Sequence, residues 1–162
     1  MDRFTEAEMV GREIVYSLIS GHCKNYFFCE KENSGVDMFV TGYTGTKAVL
    51  EIKYRSGYTS TSIDNMGGQM LEWKKYNDLM KQKSKGYIPL YTVVFNDKMV
   101  MWDMSSVTDD RFVIENKYKK TTVGEDHRNI EKKVAYLKIG ESCTIITRNE
   151  KDNRKDSNRK DC

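Results

Sequence analysis

The stretch GVDMFVTGYTGTKAVLEIKY, residues 35–54, constrains this chain more than any other, because it reads as two apolar strands that carry acids. Side chains alternate along a strand with period two. In KAVLEIKY, therefore, Ala48, Leu50, Ile52 and Tyr54 share one face while Val49, Glu51 and Lys53 share the other. With the turn GYTGT centred on Thr44, antiparallel pairing sets Asp37 opposite Glu51. Directly opposed side chains sit ~5 Å apart at Cβ, and like charges there destabilise a sheet. A counter-charge is required. A divalent cation held by both carboxylates supplies one, since hard ions such as Mg²⁺ take oxygen ligands and use one or two carboxylates with water and substrate phosphate. Lys53, one pleat further on, faces the same place. The bland alternative is a solvated hairpin in which Lys53 partly satisfies Glu51, or a slipped register. The apolar flanks of both strands point instead to a buried central sheet, where unpaired like charges are costly.

Around this pair the chain reads as helix, three strands, helix, then more strands. Thr5 and Glu8 form a capping box, and Val10, Ile14 and Leu18 recur every four residues, which predicts an amphipathic helix over 6–19. KNYFFC, VDMFVT and KAVLEIKY follow as a three-strand meander. Met66, Met70, Trp73 and Met80 mark one face of a second helix over 65–83. IPLYTVVF and MVMWDM flank Asn96, Asp97 and Lys98, and VAYLKI and SCTIIT flank Gly140 and Glu141, two hairpin patterns. The segment 105–128 is polar, with a short strand candidate in FVIENKYKK.

A chain of 162 residues, 38% hydrophobic, suits one domain with one real core, placed at 1–147. The remainder, 148–162, is a polar tail with six Lys or Arg against four Asp or Glu, read as a flexible extension. Net charge is +3, so the body is nearly neutral, and any attraction for nucleic acid must come from a local basic surface. No apolar run approaches the roughly 18 residues of a membrane helix, and MDRFTEAEMVG lacks a signal-peptide core, which predicts a soluble, cytoplasmic protein. Cys23, Cys29, Cys143 and Cys162 form no CxxC pair, and with His22 and His127 they lack zinc-site spacing.

These residues resemble the PD-(D/E)XK nucleases: Val36-Asp37 stands as the Asp motif and Glu51-Ile52-Lys53 as the ExK motif, over about residues 5–103. The resemblance implies a restriction-endonuclease-like α/β (α+β) core, a central mixed sheet flanked by helices in the order αβββαβ, here with extra C-terminal β-hairpins. GREIVYSLISG is similar to the first helix of archaeal Holliday-junction resolvases, which implies Glu13 as a further metal ligand; a solvated helix carboxylate is the other reading. GGQMLEWKKY is similar to the QxxxY element of RecB-like nucleases, with Gln69 as the Gln and Trp73 where Tyr is usual. Gln69 then contacts the attacking water or a phosphate, or caps the helix, and Trp73 is core rather than a base-stacking residue. Val36 in place of Pro removes no ligand, whereas Trp73 puts the RecB-like subgroup in doubt.

The resemblance implies Mg²⁺, with Mn²⁺ substituting, on Asp37, Glu51, the carbonyl of Ile52 and Glu13. Phosphodiester hydrolysis needs positive charge at the phosphorane and an attacking water of lowered pKa. Lys53, a compact ammonium, positions the water and stabilises charge. Candidate DNA contacts are Tyr54, Arg55, Tyr58, Lys74, Lys75, Lys117, Lys119 and Lys120. No helix-turn-helix or zinc finger is visible for base reading. A metal-dependent DNA endonuclease follows, either structure-selective like a junction resolvase or a phage or mobile-element nuclease, and by family analogy a homodimer. The other class is a non-catalytic DNA- or protein-binding module on the same fold.

Overall fold

The computed structural model describes residues 3–30, 35–118 and 129–148, with the side chains of 3–5, 117, 118 and 129 excepted. Lys119, Lys120 and the tail from 149 onward lie outside the described residues, as does the side chain of Lys117. Among the described residues no helix is long and apolar enough to cross a membrane, and Cys23, Cys29 and Cys143 are free thiols.

Helix α1 (Arg3–Ile19) opens the chain and starts before Thr5, which therefore lies inside the helix and not at its cap. Strands β1 (Cys23–Phe28), β2 (Met38–Gly42) and β3 (Lys47–Tyr54) form the expected antiparallel meander. Helix α2 (Ser60–Asn65), strand β4 (Gln69–Glu72) and helix α3 (Trp73–Lys83) then lead to β5 (Ile88–Val94), which runs parallel to β3. Parallel neighbours need such a crossover, and α2–β4–α3 supplies it. The hairpin partner β6 (Lys98–Asp103) follows β5 as expected. After it come β7 (Val113–Tyr118), β8 (Asn129–Leu137) and β9 (Thr144–Thr147).

The six-stranded mixed sheet has the order β1-β2-β3-β5-β6-β9, and a three-stranded sheet has the order β4-β8-β7. Each face of the larger sheet buries its own core. On one face Ile14, Val15 and Ile19 of α1 pack against Met38, Leu50, Ile52, Val94 and Met99. On the other, Tyr76 and Leu79 of α3, with Leu71, Ala135 and Leu137 of the small sheet, cover Val49, Tyr91, Val93 and Trp102. Strand β3 thus sits between two apolar layers, which is why its alternation reads as hydrophobic on both faces.

Two expectations fail, each for a tertiary reason. The helix expected over 65–83 is broken, because Gly67 and Gly68 take φ +105° and +117°, and Gln69–Glu72 leaves the helical path to pair with β8 in the register Gln69↔Leu137 to Glu72↔Val134. The spacing of Met66 and Met70 mimics a helix face, yet Met66 is 66% exposed. The hairpin expected across Gly140 and Glu141 is absent, since β8 belongs to the small sheet while β9 joins the edge of the large one beside β6. The link is anchored where the Trp102 indole donates to the Lys138 carbonyl at 2.8 Å and the Cys143 N–H to the Met101 carbonyl at 2.9 Å.

A Cβ at Gly68 would stand 2.7 Å from the Leu137 carbonyl oxygen, whereas one at Gly67 meets nothing within 4 Å. Both positions carry left-handed strain, worth about 1–3 kcal/mol for other residues. Urea unfolding is expected to show Gly68→Ala losing clearly more stability than Gly67→Ala; equal losses would refute the close approach of β4 to β8.

Candidate active site

The register of β2 on β3 runs Met38↔Leu50, Phe39↔Val49, Val40↔Ala48 and Thr41↔Lys47, and Asp37 lies one residue beyond its last pair, close enough for its charge to act on Glu51. The Asp37 N–H donates to the Leu50 carbonyl at 2.9 Å, one residue out of that register, so the ladder is irregular where the acid sits. Beyond Asp37 the ladder stops. In a continued strand the Ile52 N–H would bond backbone; here it donates to Asp37 Oδ2 at 2.7 Å. A strand residue points its N–H and C=O to the same side, so the Ile52 carbonyl faces the gap beside Asp37. The other oxygen, Oδ1, accepts from the Arg12 guanidinium at 2.7 Å. Gly11 makes this reach possible, since its absent side chain lets α1 lie against Tyr54, 3.1 Å from where a Cβ would be.

Glu51 is buried at 6% exposure between β2 and β5, where it pairs across to Tyr91. Its Oε1 meets the Lys75 ammonium of α3 at 2.5 Å, while Oε2 is buried without a hydrogen-bond partner among the described residues. Burial first, and the charge of Asp37 second, push the Glu51 carboxyl up from 4.5 to about 7, against the pull of Lys75. Burial draws the Lys75 ammonium down, but Glu51 outweighs it and holds that ammonium above its ordinary value. Lys53 is exposed at the rim, and the protein packed around it, with Arg55 alongside, lowers its ammonium below the usual lysine range despite Glu51.

The structure brings Asp37, Glu51, Ile52 and Lys53 together at the end of β3 where β2 falls away. Glu13 is exposed on α1, no set of three such ligands among the described residues is placed to share an ion, and its neighbour Arg12 reaches Asp37. Gln69 opens β4 and not a helix. It is buried, accepts from Arg55 Nε at 3.3 Å and donates to the Tyr91 hydroxyl at 3.2 Å. Tyr91 itself is fully enclosed, and burial lifts its phenol to about 12, so it serves as a neutral strut. Trp73 packs on Tyr76 and Phe112 with the Lys133 ammonium 3.5 Å above its ring, a core residue as expected.

The candidate DNA contacts fall into different settings. Tyr54 is half-buried against the α1 core, Arg55 is held by Gln69, and Tyr58 is exposed. Lys74 is exposed and paired with Asp78, and Lys75 is spent on Glu51. Arg12 is the residue that sequence reading misses. It lies beside the Glu13 that drew attention, and only the close approach at Gly11 turns it toward the acids.

As a donor set, Asp37, Glu51 and the Ile52 carbonyl are hard oxygens, and the orphaned Oε2 of Glu51 is a buried carboxyl oxygen that a cation would satisfy. These residues fit a divalent metal ion.

No family model and no curated protein matches the chain. Among solved structures it is similar to Hjc, a Holliday junction resolvase from the archaeal hyperthermophile Archaeoglobus fulgidus, with a TM-score of 0.45 and 12% identity over 80% of this chain and 96% of that one.

Because the Glu51 carboxyl is raised in the fold, the folded state holds a proton that the unfolded chain releases between pH 4.5 and about 7. Stability from this group is therefore full at the acid end and falls as pH rises through that window, by up to about 3 kcal/mol. Denaturant unfolding across the window should give Glu51→Gln a flatter pH dependence than the wild type. Identical slopes would count against a buried, proton-holding Glu51.

Proposed function

We propose that the protein is a metal-dependent DNA endonuclease that hydrolyses phosphodiester bonds and selects branched or otherwise structured DNA. The observation that carries this reading is a buried Glu51 whose Oε2 lacks a partner among the described residues, beside the charge of Asp37 and with Lys53 one pleat away. Acids brought together inside a sheet are costly, and a fold has no stability reason to keep them. Mg²⁺, or Mn²⁺ in its place, held by Asp37, Glu51 and the Ile52 carbonyl, would supply Lewis-acid charge and lower the pKa of the attacking water.

The chain's own groups do the rest. Lys53 presents an ammonium at the rim, where it orients a phosphate oxygen and offsets the charge that builds on the phosphorane. Its lowered affinity for a proton suits it to exchanging one with a water at the same place. Arg12 fixes the rotamer of Asp37 through Oδ1. Gln69 and Tyr91 hold Arg55 at the end of β3, where its guanidinium can take a backbone phosphate. Among the described residues no element suited to reading base edges accompanies the site, which favours recognition of backbone and shape.

One observation favours the non-catalytic reading: Arg12 and Lys75 already give each acid a cationic partner. The two readings separate in one assay. Supercoiled plasmid, single strands and a four-way junction are incubated with Mg²⁺ or Mn²⁺. Nicking that EDTA abolishes and that Lys53→Ala reduces by about 10² or more is expected. Binding without cutting under either metal would establish the non-catalytic module. Cutting both arms of a junction needs two sites, so a homodimer belongs to the same proposal. Light scattering after size exclusion that gives a strict monomer at micromolar concentration would remove it.

A further inference from the structure

We infer that Lys75 is a resident counter-cation: its ammonium takes the charge position at Glu51 that a divalent ion occupies, and it leaves when that ion binds, becoming free to meet a backbone phosphate. This rests on the metal-dependent reading above.

Four features of the site support it. First, the two cations are held unequally. Arg12 is fixed by three contacts, to Asp37 Oδ1 at 2.7 Å, to the Cys29 carbonyl at 3.3 Å and over the Phe28 ring at 5.9 Å, whereas among the described residues the Lys75 ammonium is paired with Glu51 Oε1 alone. Second, the pair is asymmetric in exposure. The Lys75 side chain is 42% exposed and that of Glu51 is 8%, so the lysine has a way out to solvent and the glutamate has none. A flexible four-carbon stem suits such a swing. Third, Lys75 lies in the first turn of α3, a turn with no acidic residue. The positive end of the helix dipole disfavours an ammonium there, so Glu51 is what holds it in place. Its neighbour Lys74 meets the same penalty and is paired with Asp78 four residues on. Fourth, Glu51 keeps Oε2 buried and unpartnered although a cation touches Oε1. A single ammonium leaves the carboxylate half satisfied, whereas an ion seated between Asp37 and Glu51 would reach the oxygen that Lys75 does not. An ion at that place and an ammonium on Oε1 are like charges in contact, and the mobile one yields.

The consequence is competition. Mn²⁺ binding to the full chain without nucleic acid is measured by titration calorimetry at pH 8.5, above the range in which Glu51 takes up a proton. Lys75→Met is expected to bind about tenfold tighter than the wild type or more, and Lys75→Arg no tighter. A residue that merely braces the fold would leave affinity unchanged or weaken it. Because Lys75→Met bares a buried carboxylate and risks misfolding, the second measurement uses the wild type alone. Acylation of lysines, read by mass spectrometry with and without Mg²⁺, should rise several-fold at Lys75 on adding metal and stay constant at Lys74. Metal binding by the wild type with neither effect overturns the counter-cation role and leaves the metal-dependent reading standing. Absence of metal binding in both the wild type and Lys75→Met overturns both.

Discussion

The charges of two carboxylates, Asp37 and Glu51, act on each other at the end of β3, and much of the molecule is arranged around that repulsion. Like charges close together in a partly buried site repel by up to several kcal/mol at an effective dielectric near 20. The fold answers from both sides of the sheet. Helix α1, covering one face, sends Arg12 to Asp37, and helix α3, covering the other, sends Lys75 to Glu51. The approach of α1 at Gly11 and the break at Gly67 and Gly68, which sets where α3 begins, thus serve the acid pair as well as the core.

Such an arrangement is poor value for stability alone. Replacing a buried ion pair by well-packed apolar residues is often neutral or favourable, while losing one partner is strongly unfavourable. Val49 and Leu50, on either side of the same strand, show that this sheet accepts apolar side chains without strain. Stability alone therefore does not account for keeping Asp37, Glu51, Arg12 and Lys75 at its centre, whereas the proposed metal-dependent function does. The ladder tells the same story, since β2 stops at Met38 and its last backbone partner is replaced by a carboxylate.

How much of this is legible in the sequence depends on the range of the interaction. The faces of KAVLEIKY and the register of β2 on β3 as far as Met38↔Leu50 follow from period two and a short turn, both local, and both hold, whereas the irregular step that brings Asp37 to Leu50 and Arg12 does not show in the spacing. The break in the expected helix over 65–83 is not legible, because Met66, Met70 and Trp73 carry helical spacing while the pairing of Gln69–Glu72 with β8 is set by residues some sixty positions away. The strands around Gly140 and Glu141 carry a hairpin signature, yet β8 gains more by burying Val134, Ala135 and Leu137 beside β4 than by pairing with β9. The cations are the hardest to read. Lys75 has the look of a surface lysine, and Arg12 stands beside an acid that attracts the eye, so only the packing of α1 and α3 says which charges meet the pair.

The settled partners also decide where an incoming polyanion would feel attraction. With the body of the chain nearly neutral, local imbalance matters more than net charge. Lys74 and Lys81 are both drawn to Asp78, and Lys132 to Glu72, so these lysines present little net field. Lys53 has no ion pair among the described residues, and Arg55 is held by a neutral amide, which leaves its full charge available. The uncompensated positive charge of the described surface near the acids thus lies at the end of β3, on the residues that follow Glu51 directly. A phosphate drawn to Lys53 and Arg55 arrives within one pleat of the acid pair. Under the proposed function, attraction and chemistry would share a few residues of one strand, which would let a chain with so small a net charge address a polyanion.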